Sequence, residues 1–281
     1  MTADRENTRR QIPAGSPGAL RSQATLEIQT RQAQRLVYGR RADSGRPPIV
    51  GLIRFAAMLR PIWSGSAADD PYADLWLVRV ESELESARGV LEDLEATCKI
   101  RLKAAPAVNI TLAESLAPVQ VELAFNNPYA FHGAYLLGQY DALVRAVLTA
   151  RHVGMMDRAA AERMLREGGQ AVRRAYAQAR GYRFLAVTRV DLNQGTAKAA
   201  RARELLGEVP AEILSGEIRA AYAPEIRAQA SAVPAIGGAP AADGEPRSEL
   251  PAEEADAPGS EENDAGDYSV ITPLPRPGGS L

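Results

Sequence analysis

Cysteine, histidine and lysine are nearly absent from this sequence. It holds one, two and three of them, against thirty arginines and 35 acidic residues. A single cysteine, Cys98, forms no intrachain disulfide, and no charged-then-apolar leader opens the chain, so the expected compartment is a reducing cytoplasm. His132 and His152 stand on one predicted helix without a His or Cys neighbour at ligand spacing, which argues against a metal centre. No apolar run approaches the roughly 20 residues of a membrane span, since the nearest, residues 48–63, is interrupted by Arg54 and Arg60. Neither a G-x-G-x-x-G nor a G-x-S-x-G motif is present, and GTAK at 195–198 lacks the rest of a phosphate-binding loop. With no nucleophile and base, ligand set or phosphate cradle in sight, the sequence reads as non-enzymatic and free of cofactors.

What the sequence does have is charge, unevenly spread. Residues 228–281 carry ten acids against two arginines, with Pro, Gly, Ala and Ser filling most of the remainder, so a disordered acidic tail is expected there. Its net charge of −8 means that the overall −2 conceals a body of +6. The first 60 residues concentrate that excess, with eleven arginines against Asp4, Glu6, Glu27 and Asp43. A polyanion would be met here. In the tail, PLPRP at 273–277 has the form of a polyproline ligand, a run that such tails also carry by chance.

Between these ends the pattern predicts a mainly α protein with a small β component. Residues 1–21 read as a flexible arm, 22–226 as one mostly helical body and 227–281 as the tail. Ala24, Leu26 and Ile28 alternate with Thr25, Glu27 and Gln29, the period of a half-buried strand. From Arg31 to Arg41 the spacing turns helical, with Ala33, Leu36 and Val37 on one face and arginines on the other. Breakers at 43–48 precede a second helix over 49–63.

The clearest signal runs from Leu77 through Val80, Leu84, Ala87, Leu91 and Leu94 to Cys98 in alternating steps of three and four, the seam of a long helix near 72–103. Asp70 is its predicted cap and Pro71 its first residue. The seam has two candidate partners, another helix of this chain or a second copy. Glu81, Glu85 and Glu92 read as its solvated face. Residues 119–125 alternate as a short strand, Asn127-Pro128 caps a helix to about His152, and Asp157 caps the next. That helix is expected to bend or approach a neighbour closely at Gly168-Gly169. Thr188 and Asp191 suggest a capping box for a last helix to Leu206. Within the body, 22–63 and 70–207 form its two parts.

Four runs, GLIRFAAMLRPIW (51–63), DDPYADLWL (69–77), FNNPYAFHGAYLLGQYDALVRAVLTARHVGMMDR (125–158) and GYRFLAVTRVDLNQGTAKA (181–199), closely resemble a family of proteins encoded in integrating conjugative elements of proteobacteria. The resemblance covers roughly residues 18–226. That family is more distantly similar to AcaB-like transcriptional activators of conjugative plasmids, which are similar to ribbon-helix-helix DNA-binding proteins. The relation implies a regulator of transfer genes, a homodimer whose paired strands enter the major groove. On that reading residues 22–63 supply the strand and two helices, Leu26 and Ile28 face the helices, and Thr25, Glu27, Gln29 and Arg31 face the bases. Arg35, Arg40, Arg41 and Arg46 are the phosphate candidates. The alternative is that the strand pairs with 119–125 as an ordinary two-stranded sheet. Two functions therefore stand open, a DNA-binding regulator and a scaffold for partner proteins of the element.

Overall fold

A computed structural model describes residues 24–42, 47–104 and 108–227. The N-terminal arm, the acidic tail and Arg46 lie outside these described residues. The chain begins with strand β1 (Thr25–Ile28), helix α1 (Arg31–Tyr38) and two short strands, β2 (Gly39–Arg40) and β3 (Ile49–Val50). Helices α2 (Leu52–Ala67) and α3 (Pro71–Lys103) follow, then strand β4 (Val119–Glu122) and helices α4 (Pro128–His152) and α5 (Arg158–Ala177). Three short helices, α6 (Arg189–Gln194), α7 (Ala197–Leu206) and α8 (Ala211–Ser215), complete the described part.

The long helix forms for the reasons the sequence offers. Asp70 accepts from the Tyr72 and Ala73 amides and Pro71 occupies the first turn, where its missing N–H is not needed. Of the seven seam residues, all but the half-buried Leu94 are buried, and the partners are this chain's own α2, α4 and α5. Each fully buried leucine contributes about 1.5–3 kcal/mol. Asn127 caps α4 and Asp157 caps α5 by the same side-chain acceptance. Helix α5 runs unbroken through its glycine pair because the approach there is close: a Cβ at Gly168 would meet Leu143 at 2.9 Å and Leu91 at 3.1 Å.

Elsewhere the structure departs from the expected elements. The first helix stops at Tyr38, where Gly39 takes φ 72° and turns the chain into β2, so Arg40 belongs to a strand. β2 and β3 pair antiparallel as Gly39↔Val50 and Arg40↔Ile49, and a Cβ on Gly51 would lie 2.3 Å from the Gly39 nitrogen. Only glycine permits that clasp. The expected last helix is two, since Gly195 adopts the left-handed conformation and Thr196 caps a new start. Thr188 and Asp191 do form the capping box at α6. Glu81 is no idle surface group, because the Tyr129 hydroxyl and the Ala221 amide both donate to it.

The segment after α5 returns to the α2–α3 corner through one buried carboxylate. Asp74, wholly buried, accepts from Ser66 Oγ at 2.5 Å, Arg189 Nη2 at 2.5 Å and Arg219 Nε at 3.0 Å. Neighbouring Asp70 accepts from the Tyr182 hydroxyl at 2.8 Å; burial pushes its pKa up against the pull of that bond and of the helix amides. These two carboxylates fasten residues 182–219 to the core.

Candidate nucleic-acid interface

β1 pairs antiparallel with β4 within the chain, in the register Thr25↔Glu122, Leu26↔Val121, Glu27↔Gln120 and Ile28↔Val119. The alternation read from sequence is kept: Ile28 is buried and Leu26 half-buried toward the helices, while Thr25 and Glu27 are exposed. The Leu123 amide donates to the Ala24 carbonyl at 2.8 Å, so residues 24, 26 and 28 turn their backbone groups to β4. Thr25 and Glu27 turn theirs to the opposite edge, where no partner stands among the described residues.

The junction between β1 and α1 is fixed from beneath by Asp141 of α4. Its carboxylate accepts from the Gln29 amide at 3.0 Å, the Thr30 amide at 2.9 Å and the Thr30 hydroxyl at 2.6 Å. Thr30 in turn accepts from the Ala33 amide as the cap of α1. An acid on the apolar stripe of a predicted helix was the available signal for Asp141, since a buried carboxylate needs donors.

The four base-reading candidates fall into two groups. Thr25 and Glu27 share the outward sheet face with Gln120 and Glu122. Gln29 is half-buried: its Nε2 donates to Glu27 at 2.5 Å and its Oε1 accepts from the Ser115 amide at 2.7 Å. Gln120 Nε2 also donates to Glu27, at 2.8 Å, so this carboxylate is held by two amides. Arg31 stands across the junction on α1, at a cleft of about 200 Å³ that Gln34, Ser115 and Val119 also line.

Arg31 and Arg35 are exposed on the outer face of α1, one turn apart, with Tyr38 at 62% exposure a turn beyond. Arg40 is exposed and donates to the Pro47 carbonyl at 3.1 Å, and Arg41 is exposed beside it. Arg54 and Arg60 add two exposed cations on α2. Among the described residues from 24 to 60, these six arginines face one acid, Glu27, and none of them forms an ion pair there. No group of acids, histidines and cysteine among the described residues is arranged to hold a metal, and no described helix is long and apolar enough to cross a membrane.

The sequence profile described as "Transcriptional regulator AcaB" matches residues 16–227. Among solved structures, the crystal structure of selenomethionine-containing AcaB from uropathogenic E. coli is similar, with a TM-score of 0.50 and 14% identity, over 70% of this chain and 95% of that one. At that identity the likeness is one of fold. No curated protein gives a significant match.

Proposed function

The chain belongs to the AcaB family of transcriptional regulators, and from that premise we propose that it acts on transfer genes of an integrating conjugative element by binding DNA as a homodimer. The observation that carries this reading is a set of six exposed arginines, Arg31 and Arg35 on α1, Arg40 on β2, Arg41 just after it, and Arg54 and Arg60 on α2, for which no carboxylate partner stands among the described residues. Exposed arginines without carboxylate partners are the groups that meet a phosphate backbone, with release of its counterions.

In this proposal Arg35, Arg40, Arg41 and Arg46 hold phosphates, and Thr25, Glu27, Gln29 and Arg31 read bases. Glu27 suits a cytosine amino group, because the two amides donating to it offset part of its repulsion from the backbone. Two copies join through the open edge of β1, where the N–H and C=O groups of Thr25 and Glu27 are available. This extends the β1–β4 pair into a four-stranded sheet rather than the two-stranded ribbon of a ribbon-helix-helix dimer.

A scaffold is the second reading, favoured by the sheet face itself, on which Glu122 stands beside Thr25 and adds a second carboxylate to Glu27. Mobility-shift titration separates the two. The full chain is mixed at low salt with promoter fragments from transfer genes of the host element and with unrelated DNA of equal length. Retardation of the promoter fragments at lower protein concentration supports the regulator. No retardation of any fragment refutes DNA binding and leaves the scaffold.

A further inference from the structure

We propose that the aromatic groove at the start of α4 is the docking site for this chain's own proline-rich segment, residues 273–277. The groove has a volume of about 420 Å³, and Phe125, Asn126, Phe131, His132 and Tyr135 are among its lining residues. Phe125 and Phe131 meet edge to face at 5.4 Å between centroids, and His132 meets Tyr222 at 4.9 Å and Tyr135 at 6.0 Å. Aromatic residues make up only 5% of the chain, so their gathering on one exposed surface needs a cause. Tyr135 is 58% exposed and Tyr222 51% exposed. The Tyr135 hydroxyl and the Asn126 side chain have no hydrogen-bond partner among the described residues.

These features match the chemistry of one kind of ligand. A polyproline II segment makes no internal hydrogen bonds, so its carbonyls need outside donors and its proline rings need flat apolar faces. The groove offers donors at Tyr135 and Asn126 and faces at Phe125, Phe131 and His132. The chain carries one run of that chemistry beyond the described residues, PLPRP at 273–277, with prolines at every second position fixing φ. Arg276 within it is the last cation of the chain, and Glu81 and Glu85 lie near His132 together with Arg88. Glu81 is already engaged by Tyr129 and Ala221, which leaves the exposed Glu85 as the partner for Arg276.

The course of the backbone brings ligand and groove together. The Ala221 amide donates to Glu81, the Tyr222 amide donates to the Tyr129 hydroxyl at 3.0 Å, and the Tyr222 ring packs on His132. The described chain ends five residues later, at Arg227. The 45 residues before Pro273 span at most about 150 Å, so geometry permits return. Tethering raises the local concentration of the segment to about 1 mM, and any intrinsic Kd below that leaves the docked form dominant. Docking carries the acidic residues 253–267 back onto the body. Docking of this segment does not require that the chain bind DNA.

Paramagnetic relaxation in the full chain tests it. A nitroxide is attached at Ser280→Cys; Cys98 is fully buried and does not take the label. Amide signals of Asn126, Phe131, His132 and Tyr135 are compared with those of α7. Docking predicts at least about a twofold loss of intensity at the groove, none at α7, and recovery in Pro273→Ala/Pro275→Ala and, separately, in Tyr135→Ala. The loss persists when the labelled chain is diluted tenfold with unlabelled, spin-free chain. Equal intensities at groove and α7, or a loss indifferent to both sets of substitutions, overturn the proposal. So does a loss that disappears on dilution, because the segment then comes from another copy.

Discussion

Replacing Asp141 by alanine removes the carboxylate that fastens the β1–α1 junction to α4, beside the apolar packing of Ile28, Ala33, Leu36 and Val37. The carboxylate receives three hydrogen bonds, two from backbone amides at the entrance to α1 and one from the Thr30 hydroxyl. Hydrogen bonds to a charged acceptor contribute about 1.5–3 kcal/mol each, but the three share one carboxylate and water replaces part of what is lost. The expected cost of Asp141→Ala is therefore about 3–5 kcal/mol. Asp141→Asn keeps one acceptor oxygen and turns an NH2 toward a donor, which should cost about 2 kcal/mol. For a body of this size each kcal/mol lowers Tm by about 2–4 °C. Urea unfolding followed by circular dichroism measures both variants, and hydrogen exchange at Gln29 and Thr30 reports whether the loss is local. A cost below about 1 kcal/mol with unchanged exchange at those amides would refute the assigned role of Asp141.

Leu91→Ala should cost about 2–5 kcal/mol and Glu85→Ala stay within about 0.5, because Leu91 is buried in the seam and Glu85 is exposed; equal small losses in urea unfolding would mean an unpacked seam. Asp74→Ala removes the buried carboxylate shared by Arg189 and Arg219, leaving Arg189 only Asp69 as an acidic partner and Arg219 none among the described residues, and should cost about 3–5 kcal/mol, whereas Arg158→Ala, whose partner Glu162 is a surface neighbour, should change stability by under about 1. Burial holds His132 below its ordinary pKa near 6.5, with Arg88 adding to that and Glu81 and Glu85 opposing it. Its contribution is present above the unfolded value and lost as pH falls through the folded one, so wild type should lose more Tm between pH 7 and pH 5 than His132→Gln does.

Long elements were legible in the sequence because their signals are local and repeated. The steps from Leu77 to Cys98, and the side-chain caps at Asp70, Asn127, Asp157 and Thr188, each lie within a few residues of what they specify. Pairing of β1 with 119–125 was one of two alternatives the sequence left open, and it is the one found, but the sequence did not decide between them. Period-two alternation assigns faces but not neighbours, and β4 lies more than ninety residues away. The break at Gly195 was hidden because both halves have helical patterns, and only the left-handed glycine separates them. At the candidate interface the exposed arginines of α1 were readable from its apolar stripe. The double engagement of Gln29 by Glu27 and Ser115 was not, since Ser115 belongs to a segment without periodicity. The placement of Arg40 turned on the φ of one glycine.

If Arg35, Arg40 and Arg41 lie on a phosphate backbone and Arg31 reads bases, the salt dependence of DNA binding shows it. Log K is measured against log salt, by fluorescence anisotropy, for wild type and for Arg31→Ala, Arg35→Ala and Arg41→Ala on a promoter fragment and on unrelated DNA. Each phosphate contact adds about 0.9 to the slope, so Arg35→Ala and Arg41→Ala should each lower it by about one on both DNAs. Arg31→Ala should instead cost about 1–3 kcal/mol on the promoter fragment alone. Slopes equal to wild type in the Arg35 and Arg41 variants, or a wild type that binds no DNA at low salt, would contradict the account.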